Sequence, residues 1–282
     1  MARSIRRFLA RSLRSLTLAF IFIFCSWSYV HAIEPNWLDL KTVDLTLPHL
    51  GREFEGYKIV QLTDIHADRW MTEERLGRIV EEVNRQNPDL VTLTGDYVTK
   101  AAPTYGPNLR AFRNLKAKDG SLAVLGNHDH WSDPKILVDI LKEVGVTVLH
   151  NEVKSIDRPS SQLNIAGVGD VWAQQDDLPK VLSTLPEQGA SIMLAHEPDF
   201  ADETAPTKRF DLQLSGHSHG GQVHIPFMKR VLPPLGKLYP AGQYQVGEMI
   251  QYTSRGIGVA GLRVRLNCRP EVTILRLHTP TA

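Results

Sequence analysis

Cysteine is nearly absent. Cys25 sits in an apolar N-terminal run and Cys268 near the other end, so neither a disulfide framework nor a thiolate zinc site can be built. Any bound metal must be held by His, Asp, Asn or Glu. A dominant charge is missing as well. The 32 Lys and Arg against 31 Asp and Glu leave a net charge of +1, without the basic excess of a nucleic-acid-binding domain, so no nucleic-acid partner is expected. Internal repeats and low-complexity segments are also lacking. What remains is 282 residues at 42% hydrophobic content, enough for one large domain with a proper core.

Long apolar runs are scarce too, and the one that occurs lies at the N-terminus. Arg3, Arg6, Arg7, Arg11 and Arg14 precede residues 16–33, which contain no Asp, Glu, Lys or Arg. The run sits at the lower edge of the ~17–25 residues that span a bilayer. It ends in Val30-His31-Ala32, loosely a signal-peptidase site, so a single-pass anchor and a cleaved signal peptide both fit. Bulky Trp27, Tyr29 and His31 suit cleavage poorly, whereas Trp27 and Tyr29 suit a membrane interface, which favours the anchor. A basic helix lying on the membrane surface is the third reading. Arginines before a spanning run predict the N-terminus inside and the following domain on the outer face of the cytoplasmic membrane. The expected division is a basic and hydrophobic signal or anchor segment at 1–34 and one domain at 35–282.

After Glu34-Pro35, short β-rich runs alternate with helical patterns, which indicates a layered α/β or α+β domain. Residues 58–62, 90–93, 121–125, 163–168, 191–194 and 211–214 are expected strands. Leu76, Ile79, Val80 and Val83 share one face of an expected helix at 72–86, and Leu109, Phe112 and Leu115 do so at 107–116. A third helix at 134–144 has Ser132 or Asp133 as N-cap, Pro134 in its first turn and Gly145 just past its end. From Gln222 the pattern becomes strands and Gly/Pro turns: 222–225, a loop at 226–243, then 249–253 and 272–278.

Polar residues fall where these runs end. Residues 59–62 lead into Thr63-Asp64-Ile65-His66, 90–93 into Thr94-Gly95-Asp96, and 121–125 into Gly126-Asn127-His128-Asp129. Residues 192–195 lead into His196, and 212–214 into Ser215-Gly216-His217-Ser218-His219-Gly220. Each fragment alone has an ordinary reading: a turn, a hydrogen-bonded core histidine, a glycine loop. Their conjunction does not. In open α/β sheets ligands bind beyond the carboxyl ends of the strands, so these groups are expected to converge on one cluster.

This ordered set, D-X-H, G-D, G-N-H-D, H and G-H-X-H, resembles the signature of the calcineurin-like metallophosphoesterase superfamily over about residues 54–278. The resemblance implies a four-layer α/β/β/α sandwich with its active site at the C-terminal ends of the strands. It assigns Asp64, His66, Asp96 and His219 to one metal and Asp96, Asn127, His196 and His217 to the other, with Asp96 as the bridge. The spacing itself does not say which histidine binds which ion. His128 is implied as general acid and Asp129 as the residue that orients it. Two ions ~3.5–4 Å apart hold phosphoryl oxygens, activate water and stabilise growing charge. A donor set of imidazole, carboxylate and amide oxygen suits Mn²⁺ first, with Fe and Zn²⁺ as alternatives. Outside the signature, His224 could line the site, and Gly256, Arg263 and Arg265 include phosphate partners by residue type. Exposed, solvated arginine is the competing reading.

Further features resemble a membrane-anchored bacterial branch of the superfamily: the N-terminal run, Glu34-Pro35, His196-Glu197-Pro198-Asp199, Gly220-Gly221-Gln222 and Ser254-Arg255-Gly256. That branch includes phosphodiesterases and enzymes that hydrolyse UDP-2,3-diacylglucosamine, a lipid A precursor. The resemblance makes that lipid-linked pyrophosphate the leading substrate, with Trp172 and the 226–243 loop as apolar contacts. A UDP-linked precursor belongs on the inner side of the membrane, however, and the arginines place the domain outside. A broad phosphodiesterase or phosphatase outside the membrane is thus the alternative. From another class, a metal-bound docking module without catalysis is the third. The full ligand set and His128 speak against the last. Oligomeric state is not legible.

Overall fold

The computed structural model describes residues 2–280, without the side chains of residues 2–5 and 10. The side chain of Arg3 and the last two residues of the expected domain thus lie outside the described set. The chain forms β1 (Asp39–Thr46), β2 (Tyr57–Leu62), β3 (Leu90–Thr94), β4 (Ser121–Val124), β5 (Val146–Val148) and β6 (Glu152–Asp157). There follow β7 (Gln162–Gly167), β8 (Ala190–Leu194), β9 (Leu212–Ser215), β10 (Gly242–Val246), β11 (Met249–Thr253) and β12 (Glu271–His278). They make two six-stranded sheets, ordered β1-β12-β2-β3-β4-β5 and β10-β11-β9-β8-β7-β6. The central strands β2, β3 and β4 are parallel neighbours in the first sheet, and β7, β8 and β9 in the second. Strands covered on both faces read as near-continuous apolar runs, which is why these were the visible ones.

The sheets stack face to face. Ile59, Leu90 and Val124 of the first meet Ile165, Ile192 and Leu212 of the second in a buried layer. On the outer face of the first sheet, Leu76, Ile79 and Val83 of the helix Glu73–Arg85 pack over Val60 and Leu93. On the outer face of the second, Val181 and Phe200 pack over Ala166 and Met193. The layer order is therefore helix, sheet, sheet, helix, as the resemblance implied. Buried Gln61 ties the two sheets near their carboxyl ends, donating to Thr94 Oγ1 at 2.9 Å and Ser215 O at 3.0 Å.

Two of the expected elements take another form. Residues 107–116 form a 3₁₀ helix, Gly106–Asn114. Leu109, Phe112 and Leu115 recur every third residue, a spacing that fits the 3₁₀ period as well as the α one. Residues 222–225 make a single bridge, Val223 to Leu266, in place of a strand, with positive φ at Gly220, Gly221 and Gln222 on one side and Pro226 on the other. The N-cap of helix Pro134–Glu143 is Asp133, whose carboxylate accepts from the Ile136 N–H at 3.2 Å.

The N-terminal helix α1 (Ala2–Ser28) continues through a π turn, Tyr29–Ile33, and a 3₁₀ turn, Glu34–Asn36, towards β1. It is long and apolar enough to cross a membrane. Its end is fastened to the globular part. The Arg265 N–H donates to Val30 O at 3.0 Å, and the Cys268 N–H to the buried carboxylate of Glu34 at 2.5 Å.

Candidate functional site

All the strand-end residues come together. Asp64 and His66 follow β2, Asp96 follows β3, Asn127 and His128 follow β4, His196 follows β8, and His217 and His219 follow β9. Asp64, His66 and His219 bring one ligand atom each within 4.8 Å of one another, and Asp96, His196 and His217 do the same. The groups touch at Asp96. Its Oδ2 lies 3.5 Å from His66 Nε2 and 3.4 Å from His196 Nε2, one histidine from each triad. Its Oδ1 is turned away and accepts the backbone N–H of His128 at 2.9 Å.

The remote ring nitrogens fix which nitrogen faces inward. His196 Nδ1 lies 2.7 Å from Thr94 O, His217 Nε2 2.8 Å from Pro234 O, and His66 Nδ1 3.2 Å from Thr99 Oγ1. Carbonyl acceptors hold a proton on the outer nitrogen of His196 and His217, so the inner nitrogen of each is the one that faces the site. These inner atoms crowd: His66 Nε2 is 3.0 Å from His219 Nε2, and His217 Nδ1 is 3.2 Å from His196 Nε2. Burial drives His66 down to about 3, and burial with the neighbouring His196 drives His217 to about 4. Neutral imidazole is the metal-binding form. Burial opposes charge at His196 and Asp96 alike, yet Asp96 and Asp64 raise His196 well above its usual value, and the charged ring in turn holds the Asp96 carboxyl below the usual range; a bound ion would take the place of that proton.

The backbone is bent to make this cluster. Asp64, His66, Asp96, His217 and His219 all have φ between 48° and 69°, a left-handed conformation that costs non-glycine residues of order 1–3 kcal/mol each and concentrates at functional sites. Glycines allow the close approach of the loops. A Cβ on Gly126 would stand 2.5 Å from Asp96 Oδ1 and 2.8 Å from His196 Nε2. One on Gly216 would stand 2.4 Å from Asp64 Oδ2.

The donor set fits two divalent ions. The seven side chains offer imidazole nitrogen, carboxylate oxygen and amide oxygen, without sulfur. Asn127 Oδ1 is buried and has no hydrogen-bond partner, although Asn127 shares the cavity wall with Asp96 and His217. A buried amide oxygen left unpaired is costly unless something else takes its lone pairs.

Two expectations are corrected. Asp129 does not orient His128. Its carboxylate is spent on the loops, accepting the N–H groups of Gly126, Asp96 and Tyr97 at 2.8–2.9 Å. The partner of His128 Nδ1 is Thr99 O at 2.9 Å. An acidic residue beside a helix start prefers the exposed amides of that start, which is what Asp129 finds. Arg265 is neither a phosphate partner nor a solvated charge: it is fully buried and donates to the carbonyls of Arg255, Gly256, Gly258 and Cys268. Arg263 is exposed beside Trp70. His224 faces a second cavity, shared with Arg255 and Asn267.

Several contributors escaped the sequence reading. Thr99 acts through a backbone carbonyl, which leaves no residue-type signature. Trp131 packs against His128 with ring centroids 4.8 Å apart and the rings tilted by 59°, and it meets Trp172, an apolar contact already expected, which lies 5.3 Å from Trp131 and 5.5 Å from His217. This aromatic arc walls a cavity of about 630 Å³ whose floor is Asp96, Asn127 and His217. The i, i+3 spacing of His128 and Trp131 on helix Asn127–Ser132 was the available clue. Buried Glu197 holds Trp172 in place by accepting the N–H groups of Val171 and Trp172.

Comparison with known proteins agrees with this geometry. The family model of calcineurin-like phosphoesterases matches residues 57–221. The phosphodiesterase YaeI of Escherichia coli is 34% identical over 282 residues, covering 96% of this chain and 98% of that one. The metallophosphoesterase YkuE of Bacillus subtilis is 33% identical over 259 residues, covering 90% of each. The UDP-2,3-diacylglucosamine pyrophosphatase LpxG of Chlamydia trachomatis is 26% identical over 314 residues, covering 90% of this chain and 94% of that one. With the sandwich, the two triads meeting at Asp96 and a family match over most of the core, this chain belongs to the calcineurin-like phosphoesterases and is a metal-dependent hydrolase.

Proposed function

We propose that residues 35–282 form a two-metal phosphoesterase domain carried by a membrane segment at 1–34, and that it cleaves a phosphodiester or pyrophosphate bond in a lipid-linked substrate. The observation that carries the two-metal reading is Asp96 Oδ2, set between an inner histidine nitrogen of each triad. Asp64, His66, Asp96 and His219 would hold one ion, and Asp96, Asn127, His196 and His217 the other. Manganese is the first expectation, then iron or zinc. When bound, such ions supply Lewis acidity to the phosphoryl oxygens and lower the pKa of water.

The protein supplies the rest. His128 is fixed by its backbone N–H on Asp96 and its Nδ1 on Thr99 O, with Trp131 against the ring. That leaves Nε2 as the atom that can pass a proton to the leaving oxygen. Asp129 serves indirectly, holding the loops that carry Asp96 and Gly126. The cavity wall beyond the cluster is apolar, with Ile225, Met228, Val231, Leu232 and Leu262. Such a wall suits acyl chains better than a bare sugar or nucleotide. UDP-2,3-diacylglucosamine is therefore the leading substrate, in line with what the name of LpxG says of that relative. A second reading, a broad phosphodiesterase outside the membrane, is favoured by the N-terminal arginines.

Full-length protein in detergent, loaded with Mn²⁺, is assayed on an aryl phosphodiester, an aryl phosphomonoester and UDP-2,3-diacylglucosamine. Metal-dependent turnover is expected, with His128→Ala slower by ~10²–10⁴ on substrates with poor leaving groups. Absence of turnover on all three refutes the reading. Turnover of the aryl esters alone removes the lipid A precursor.

A further inference from the structure

The apolar N-terminal run ends in contact with the globular part. Its last turns are bonded to one segment: Val30 O accepts the Arg265 N–H at 3.0 Å, and His31 Nδ1 lies 2.9 Å from Arg263 O. Since the run reaches Ile33, a bilayer holding it must have residues 262–265 at its surface. Leu262 in that segment is 78% exposed.

The neighbouring turn has the same character. Phe227 stands at its tip with φ 67°, in a turn closed by the Met228 N–H on Ile225 O at 3.1 Å, and its side chain is fully exposed. Met228 and Val231 beside it are 65% and 88% exposed. Gln222 binds this turn to the first segment, donating to the carbonyls of Ala260 and Leu262. Left-handed backbone that displays a phenyl ring to water is unfavourable on two counts, sterics and hydration.

Charge points to the same partner. Between Leu212 and Pro270 the one carboxylate side chain is Glu248, whereas Lys229, Arg230, Lys237 and Arg263 are all exposed. The whole chain carries only +1, so this basic excess is local. Asp199 meets the backbone of Lys237 and Leu238 at the far end of the loop, but apolar tips flanked by exposed bases such as Lys229, Arg230 and Arg263 are the chemistry of an element that lies in an anionic bilayer surface.

We propose that the turn at 225–231 and Leu262 enter the headgroup layer of the bilayer that holds α1. Ile225, Met228, Val231 and Leu262 also line the cavity above Asp96, so docking opens that cavity on the lipid. The inference rests on the anchoring proposed above and not on the phosphoesterase chemistry. An insertion of ~5–10 Å is typical of interfacial elements.

The test uses full-length protein in nanodiscs of phosphatidylcholine and phosphatidylglycerol, with or without brominated acyl chains. A bimane label is attached to natural Cys25, or to Phe227→Cys, Leu262→Cys or Lys118→Cys in a Cys25→Ser background; Cys268 is buried and stays unlabelled. Bromolipid should remove most of the fluorescence at Cys25, Phe227→Cys and Leu262→Cys. At Lys118→Cys, beyond the opposite ends of the strands, only aqueous iodide should quench. Quenching at Cys25 with iodide-only quenching at Phe227→Cys overturns the docking and leaves the anchor standing. No lipid quenching at Cys25 overturns the anchor and the docking with it. Shielding of Phe227→Cys from both quenchers means that protein covers the turn, and also overturns the proposal.

Discussion

At the scale of single residues, the shared carboxylate is the sharpest prediction. Asp96 Oδ2 is poised between ligand nitrogens of His66 and His196, whereas the ring nitrogen that Asp64 Oδ1 meets is of the first triad, His219 Nε2 at 3.2 Å, its other contact being the His217 backbone N–H. Asp96→Asn should therefore lower the bound content of both ions together. Asp64→Asn should mainly deplete one. Metal analysis of the two variants after equilibration against limiting Mn²⁺ checks this, and equal, mild losses would mean that the bridge is misplaced. The candidate ligands were legible because each is a side-chain type at the end of an apolar run, and residue type survives in sequence. Thr99 was not, because its main contribution is a carbonyl that any residue could offer. Asp129 was misread for the opposite reason: its type fits an orienting acid, but nothing in sequence shows that the backbone amides of Gly126, Asp96 and Tyr97 are nearer than His128.

At the scale of elements, Arg265 shows how much a loop depends on one buried cation. Its guanidinium gathers the carbonyls of Arg255, Gly256, Gly258 and Cys268. That turn in turn lies behind Asp64: the Ile257 N–H donates to Thr63 O at 3.1 Å and the Gly258 N–H to Asp64 O at 2.7 Å. Arg265→Met leaves several buried carbonyls unpaired and should cost on the order of 3 kcal/mol. For a chain of this size that is a fall of about 5–10 °C in the unfolding midpoint. Arg265→Lys should not restore it, because one ammonium cannot reach the same fan of acceptors. An unchanged midpoint in thermal unfolding of Arg265→Met would remove this role. The elements that sequence failed to show share a cause. β1, β6 and β10 carry alternating polar residues at or near sheet edges, as in Glu152–Asp157 with Val153, Ser155 and Asp157 among its six residues. An edge strand needs an apolar face only where it is covered, so its pattern is faint. The buried strands, apolar at most positions, stand out in the sequence.

At the scale of the whole molecule, the N-terminal charge and the nucleotide-linked substrate point to opposite faces of the membrane, and one measurement decides between them. Arg6, Arg7, Arg11 and Arg14 stand before the apolar run, and the exposed bases near Arg263 stand after it. The positive-inside rule weighs charge in short segments flanking the first helix, which favours the N-terminal cluster as the cytoplasmic end. The domain would then sit on the outer face. A C-terminal alkaline phosphatase fusion in bacterial cells should be active and a C-terminal green fluorescent fusion dark. A precursor made in the cytoplasm and linked to a nucleotide would not reach a cavity on that face, so this outcome selects a phosphodiester of the outer leaflet or outer compartment over UDP-2,3-diacylglucosamine. A bright cytoplasmic fusion would reverse both conclusions. The bases around Phe227 and Arg263 would then outweigh the N-terminal arginines, and they would do so by holding the domain against the anionic inner leaflet, where a lipid-linked nucleotide is at hand.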